Sequence, residues 1–131
     1  MDQFRVIAGE NFAAWNKALL SRDAERVASL YAEDATFLPT MSDKFKMGKD
    51  GARGYFLHFL EKNPSGSIVE EAIQSLAANC YLHSGMYNFE IGPVRNRQTI
   101  EARFTFVWRK SDQGDWQILH HHSSLKPEPK V

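Results

Sequence analysis

Between Phe4 and Leu19 the apolar residues Phe4, Ile7, Ala8, Phe12, Trp15 and Leu19 recur at three- and four-residue steps. That spacing gathers side chains on one face of a helix of about five turns. Ser21 and Asp23 are candidate N-caps for a second, shorter helix carrying Val27, Leu30 and Tyr31, because their side-chain oxygens can accept from backbone N–H groups otherwise unpaired. Thr36, Phe37 and Leu38 read as a short strand, ended by Pro39, which has no N–H to give to a ladder. Asp50 is placed to cap a third helix with the apolar stripe Tyr55, Phe56, Phe59 and Leu60, and Asn63-Pro64-Ser65-Gly66 closes it.

From Ser67 onward the period changes to two, which predicts strands near 67–76, 80–90, 98–110 and 115–124. Turn signals separate them: Ala78-Asn79, the stretch from Gly92-Pro93 to Asn96, and Asp112-Gln113-Gly114-Asp115. Helices first and an antiparallel meander afterwards is the order of an α+β fold, not the alternation of a doubly wound parallel sheet. Residues 1–125 read as one domain, and the tail 126–131, with its two prolines, as loosely ordered.

The segment 100–109 splits into two unlike faces. Ile100, Ala102, Phe104, Phe106 and Trp108 share one, and Glu101, Arg103, Thr105, Val107 and Arg109 the other. So wide an apolar face must be covered. If the chain's own helices cover it, Arg103 and Thr105 lie outward. If the polar face lines a cavity, Phe104, Phe106 and Trp108 are left as an interface for a second copy of the chain.

Composition narrows the classes. A length of 131 residues with 43% hydrophobic and 24% charged positions suits one globular core. Sixteen basic residues balance sixteen acidic ones, so the surplus cation that nucleic-acid binding draws on is missing. No apolar run approaches a membrane span, and Met1 to Glu10 lacks the apolar core of a signal peptide. Cys80 is the single cysteine, which excludes an intrachain disulfide and suits a reducing, cytoplasmic setting. Nucleic acid and membrane are therefore not expected partners.

The chemistry-bearing residues lie on the late strands. In His120-His121-His122 a period of two sets His120 and His122 together and His121 opposite. With His58 or His83 as a third ligand such a pair could hold a metal, but hydrogen-bonded structural histidines are the simpler expectation. No phosphate-binding glycine loop, nucleophile elbow, HExxH or Cys-x-x-Cys occurs. Neither a metal nor a cofactor is expected.

The Trp15-Asn16 helix, the strand Asp34-Ala35-Thr36-Phe37-Leu38-Pro39, the Tyr55-Phe56 helix, Phe104 to Arg109 and above all Trp116-Gln117-Ile118-Leu119-His120-His121-His122-Ser123 resemble one family. It is the association (hub) domain of calcium/calmodulin-dependent protein kinase II and its free-standing bacterial relatives, in the nuclear transport factor 2-like superfamily, which also holds SnoaL-like proteins. The resemblance implies a cone: N-terminal helices on a curved antiparallel sheet, an internal pocket, and assembly into dimers or larger rings through the sheet. No kinase catalytic motif accompanies it. The hub pocket carries arginines able to hold a carboxylate, and the matching positions here are Tyr87, Thr105 and Ser123. Arg103 and His121 are the substitutes that strand parity offers for a small anionic organic ligand. Ketosteroid isomerases, cyclases and dehydratases of the superfamily use a general-base aspartate and a phenol, where this chain has Leu38, Pro39 and Trp15.

Three readings follow. The first is a self-associating domain with a small-molecule pocket lined by His83, Tyr87, Arg103, Thr105, His121 and Ser123. The second is an isomerase, cyclase or hydro-lyase using His83, Tyr87, Arg103 and His121. The third is a purely structural oligomer.

Overall fold

The computed structural model describes residues 3–129. Helix α1 (Arg5–Leu20) buries Ala8, Phe12, Trp15 and Leu19 of the predicted stripe, with Ala18 beside them; Ile7 is half-buried and Phe4 stands at the N-cap. It ends where Arg22 takes a left-handed conformation, φ 63°. Helix α2 (Ala24–Ala28) is capped by Asp23, whose carboxylate accepts from Glu25 N–H at 2.9 Å. Tyr31 is not part of α2. It opens strand β1 (Tyr31–Leu38), tied to the last strand by Ile118 N–H donating to Leu30 C=O at 2.7 Å.

A two-residue strand β2 (Lys46–Met47) precedes helix α3 (Gly48–Phe59), which one 3₁₀ turn extends to Lys62. Asp50 sits inside the first turn of α3 and does not cap it; Met47 occupies the cap position without a side-chain bond. The meander follows as β3 (Ser65–Ala77), β4 (Cys80–Ile91), β5 (Gln98–Lys110) and β6 (Trp116–Leu125).

The six strands form one sheet in the order β2-β1-β6-β5-β4-β3. The α+β class holds, but the sheet is mixed, not wholly antiparallel. β1 runs parallel to β6, with Thr36, Phe37 and Leu38 opposite His120, His121 and His122. The long excursion through α3 and the meander brings the chain back beside β1 in the same direction, as parallel pairing requires. Breaks in register at Tyr31/Thr36, Ile68/Glu70 and Val107/Trp108 bend the strands, and the curved, unclosed sheet wraps the helices on its inner side.

One turn of that curvature depends on Gly85, which pairs with Glu71 beside the β3 bulge. A Cβ there would lie 1.9 Å from the backbone oxygen of Glu70. Gly85→Ala is expected to destabilise the fold by about 2 kcal/mol or more, since the backbone must move to admit the methyl. An unfolding midpoint in urea equal to that of the parent chain would refute this.

Phe104, Phe106 and Trp108 point inward, 3%, 0% and 1% exposed, and pack under the chain's own helices. Phe12 and Trp15 touch Phe106 edge-on at 6.5 and 5.4 Å between ring centres. These three side chains are therefore core, and the interface expected of them is not available at those positions. At the other end of the chain Lys126 is held to Glu101 by a backbone bond of 3.0 Å and an ion pair of 3.0 Å. Residues 130 and 131 of the expected tail lie outside the described residues, as do Met1 and Asp2.

Candidate functional site

Inward parity on β4, β5 and β6 places Tyr87, His121 and Ser123 on one wall beneath α1. Phe106 pairs with His121 and Phe104 with Ser123 across β5 and β6. His121 is stacked between Phe37, at 4.8 Å, and Phe106, at 4.1 Å, with the Trp15 ring edge-on at 5.6 Å. Burial there drives its pKa well below the ordinary histidine value, with lesser contributions from His120 and His122.

The partners fix which neutral form it takes. The Trp15 indole can only donate, and its Nε1–H reaches the Tyr31 hydroxyl at 3.2 Å. Tyr31 then donates its own proton to His121 Nδ1 at 2.8 Å. With Nδ1 accepting, Nε2–H donates to the Tyr87 hydroxyl at 3.1 Å, and Tyr87 donates to Ser123 Oγ at 2.5 Å. Ser123 in turn bonds Thr40 Oγ1, and the Tyr55 hydroxyl donates to the Thr40 carbonyl at 2.7 Å. The chain Trp15, Tyr31, His121, Tyr87, Ser123, Thr40 thus runs in one sense. A protonated imidazole would reverse the Tyr31 bond and leave its phenolic proton without an acceptor. Burial raises the pKa of both Tyr31 and Tyr87, so each stays a neutral donor.

Space around this network is almost gone. Trp15, Phe37, Thr40, Tyr55, Phe56, Phe59, Tyr87, Phe89, His121 and Ser123 leave a void of about 10 Å³, room for one water at most. Of the six expected ligand residues, only Tyr87, His121 and Ser123 come together. His83 is also buried, but it bonds Glu71 through Nε2 at 2.8 Å and, among the described residues, its Nδ1 has no partner. Burial lowers its pKa, against the opposing pull of Glu71. Arg103 and Thr105 lie on the outer face, opposite Met86 and Ser84 on β4 and Ser124 and His122 on β6. They cannot line the interior, because inward Phe104 and Phe106 force their neighbours outward. Among the described residues no three metal-ligating side chains converge.

Trp15, Tyr31 and Thr40 belong to the network and the sequence reading missed their roles. For Tyr31 the signal was present: read as a strand residue, it falls level with Ile118 near the start of β6.

Among the described residues the outer face of the sheet carries no helix. Half-buried Leu38, Leu82, Met86 and Val107 alternate there with Thr36, Thr105, His120 and His122. Thr36 Oγ1 bonds His120 Nδ1 at 2.7 Å, and Arg109 pairs with Asp34 at 2.9 Å. Arg109 holds the Asp34 carboxyl below the usual carboxylate range, chiefly through that hydrogen bond. Cys80, half-buried, opens β4.

Residues 9–127 match the family "calcium/calmodulin dependent protein kinase II association domain". A Xanthomonas campestris structure described under that same domain is 36% identical, with a TM-score of 0.89 over 95% of this chain and 89% of that one. A nuclear transport factor 2-like superfamily protein from Salmonella enterica superposes at TM-score 0.78 with 17% identity, covering 96% and 93%. A ketosteroid isomerase-like protein from Erwinia carotovora reaches 0.75 with 16% identity, covering 98% and 100%. No curated protein matches the chain.

Proposed function

Because the chain belongs to the calcium/calmodulin dependent protein kinase II association domain family, we propose that it is a self-association module that docks on a second copy through the outer face of its sheet. One observation carries this reading. The helices pack on the inner side, and the outer surface of β1, β6, β5 and β4 presents half-buried Leu38, Leu82, Met86 and Val107 with no helix above them among the described residues. An antiparallel sheet tolerates one wet face when that face is polar. Here it is mixed, with Asp34 and Arg109 paired to each other and Arg103 exposed beside Met86, the composition of an interface that a like surface can cover.

The filled interior supports the structural form of this reading over the enzymatic one. An isomerase or hydro-lyase needs His83, Tyr87, Arg103 and His121 around one substrate-sized space, and Arg103 is on the opposite side of the sheet. Any small organic anion would bind outside the His121 network. Single Cys80 suits a reducing, cytoplasmic setting for the module, and among the described residues no helix is long and apolar enough to cross a membrane.

Val107→Glu is the test, since a two-fold contact would bury the new charge twice. Light scattering is expected to show a dimer or larger assembly for the parent chain and an affinity weakened about tenfold or more in the variant. A parent chain that scatters as a monomer at high concentration overturns the reading.

A further inference from the structure

Two histidines that the sequence singles out take no part in the interior network. His120 and His122 stand two residues apart on β6 with their side chains on the outer face, His120 half-buried and His122 exposed. We propose that they are half of a zinc site, which a second copy of this chain completes with the same pair. The site rests on the docking of copies through the outer face proposed above.

Alternate residues of a strand lie about 6.6 Å apart, so two imidazoles on one face can reach a single ion between them. Both lie in the middle of the sheet. His120 is flanked by Thr36 and Val107, and His122 by Leu38 and Thr105. Thr36 Oγ1 bonds His120 Nδ1 at 2.7 Å. With Nδ1–H donating to that hydroxyl, Nε2 keeps its lone pair, which is how an outer oxygen fixes the tautomer and the ring of a ligating histidine. Among the described residues His122 makes no hydrogen bond, so its nitrogens are open to a ligand.

One copy cannot fill the coordination, because zinc takes four ligands in a structural site. His83 is enclosed in the interior and His58 is on α3, beyond the other face of the sheet. Neither can add a third nitrogen, in keeping with the absence of a metal-ligating trio among the described residues. A two-fold axis running across the strands between His120 and His122 sets each His120 against His122 of the partner subunit. Packed sheets lie about 10 Å apart, so an ion midway is about 5 Å from either one. An imidazole spans that gap with a zinc–nitrogen bond of about 2.0 Å. Leu38 and Val107, beside the pair on β1 and β5, and their copies shield the ion from water. Four imidazoles suit zinc and not magnesium or calcium, which take oxygen ligands.

Calorimetric titration of the full, untagged chain with zinc, beside light scattering in chelator, tests the site and the docking separately. Zinc is expected to bind at one ion per two chains with about micromolar affinity or better, and to tighten the association of copies. Cobalt(II) in its place is expected to show the strong visible bands of a tetrahedral ion. His120→Ala and His122→Ala each remove two of the four ligands and should weaken zinc about a hundredfold or more. Thr36→Val removes only the bond that holds the ring, so about a tenfold loss is expected with the stoichiometry unchanged. A dimer that takes up no zinc at about 100 μM, or that takes one ion per chain, overturns the zinc site and leaves the self-association reading in place. A monomer in chelator and in zinc alike overturns that reading and the site with it. The stoichiometry of the parent chain decides the matter even if a variant fails to fold.

Discussion

Trp15→Ala is expected to lower the unfolding free energy by about 4 kcal/mol, the cost of emptying a large aromatic site in a close-packed core. Trp15 is 1% exposed. Its ring meets Phe12, Phe56, Tyr87, Phe89, Phe106 and His121, at centre separations from 5.4 to 6.4 Å. Trp15 thus joins α1 to α3 and the inner strands while also starting the polar chain through Tyr31. The loss therefore has two parts: a cavity, and a Tyr31 hydroxyl with one donor fewer. Trp15→Phe separates them, since it keeps much of the packing and removes the indole N–H, and about 1–2 kcal/mol is expected for it. Urea unfolding measures both. A loss below about 1 kcal/mol for Trp15→Ala would mean that the interior is not the packed core described.

Acid sensitivity is the second large effect. His121 is held neutral by burial, so its folded pKa is depressed, whereas in the unfolded chain it takes a proton near about 6.5. The unfolded state then binds more protons than the folded one as pH falls. Stability from this group is present in full above about pH 7 and declines below about 6.5, by about 1.4 kcal/mol per pH unit. His83, depressed by burial despite Glu71, acts in the same sense. Carboxylates dominate only at lower pH, so the window from about 5 to 7 isolates the histidines. His121→Phe keeps a ring between Phe37 and Phe106 but leaves the Tyr31 and Tyr87 hydroxyls a partner short. It is expected to cost about 2 kcal/mol at neutral pH and to flatten the slope between pH 5 and 7 by about 1.4 kcal/mol per unit. An unchanged slope would show that His121 is not the group that resists protonation.

Local signals were strong wherever one element contained its own explanation. The α1 stripe, the Asp23 cap, the turn at Asn63 and the four late strands all follow from spacing within a segment, and the structure places each within a few residues of expectation. Misreadings came where two segments had to be weighed together. Tyr31 suits a helix by spacing from Val27, yet Leu30 C=O accepts from Ile118 N–H and the chain goes into the sheet. The two-residue β2 is too short to leave a pattern. The β1–β6 pairing joins residues about ninety positions apart, as the Tyr31–His121 bond does.

Periodicity alone assigned Arg103 and Thr105 to one face and Phe104, Phe106 and Trp108 to the other, and the residues of the closing strand sufficed to resemble the association-domain family. It could not say which face is inside, because alternation is symmetric until helices choose a side. Tertiary structure made that choice: α1 laid Phe12 and Trp15 against the aromatic face, which sent Arg103 outward and turned Tyr87, His121 and Ser123 into a closed network. Whether an interior is open or full was equally out of reach of the sequence, since residual volume is a small difference between large packed volumes.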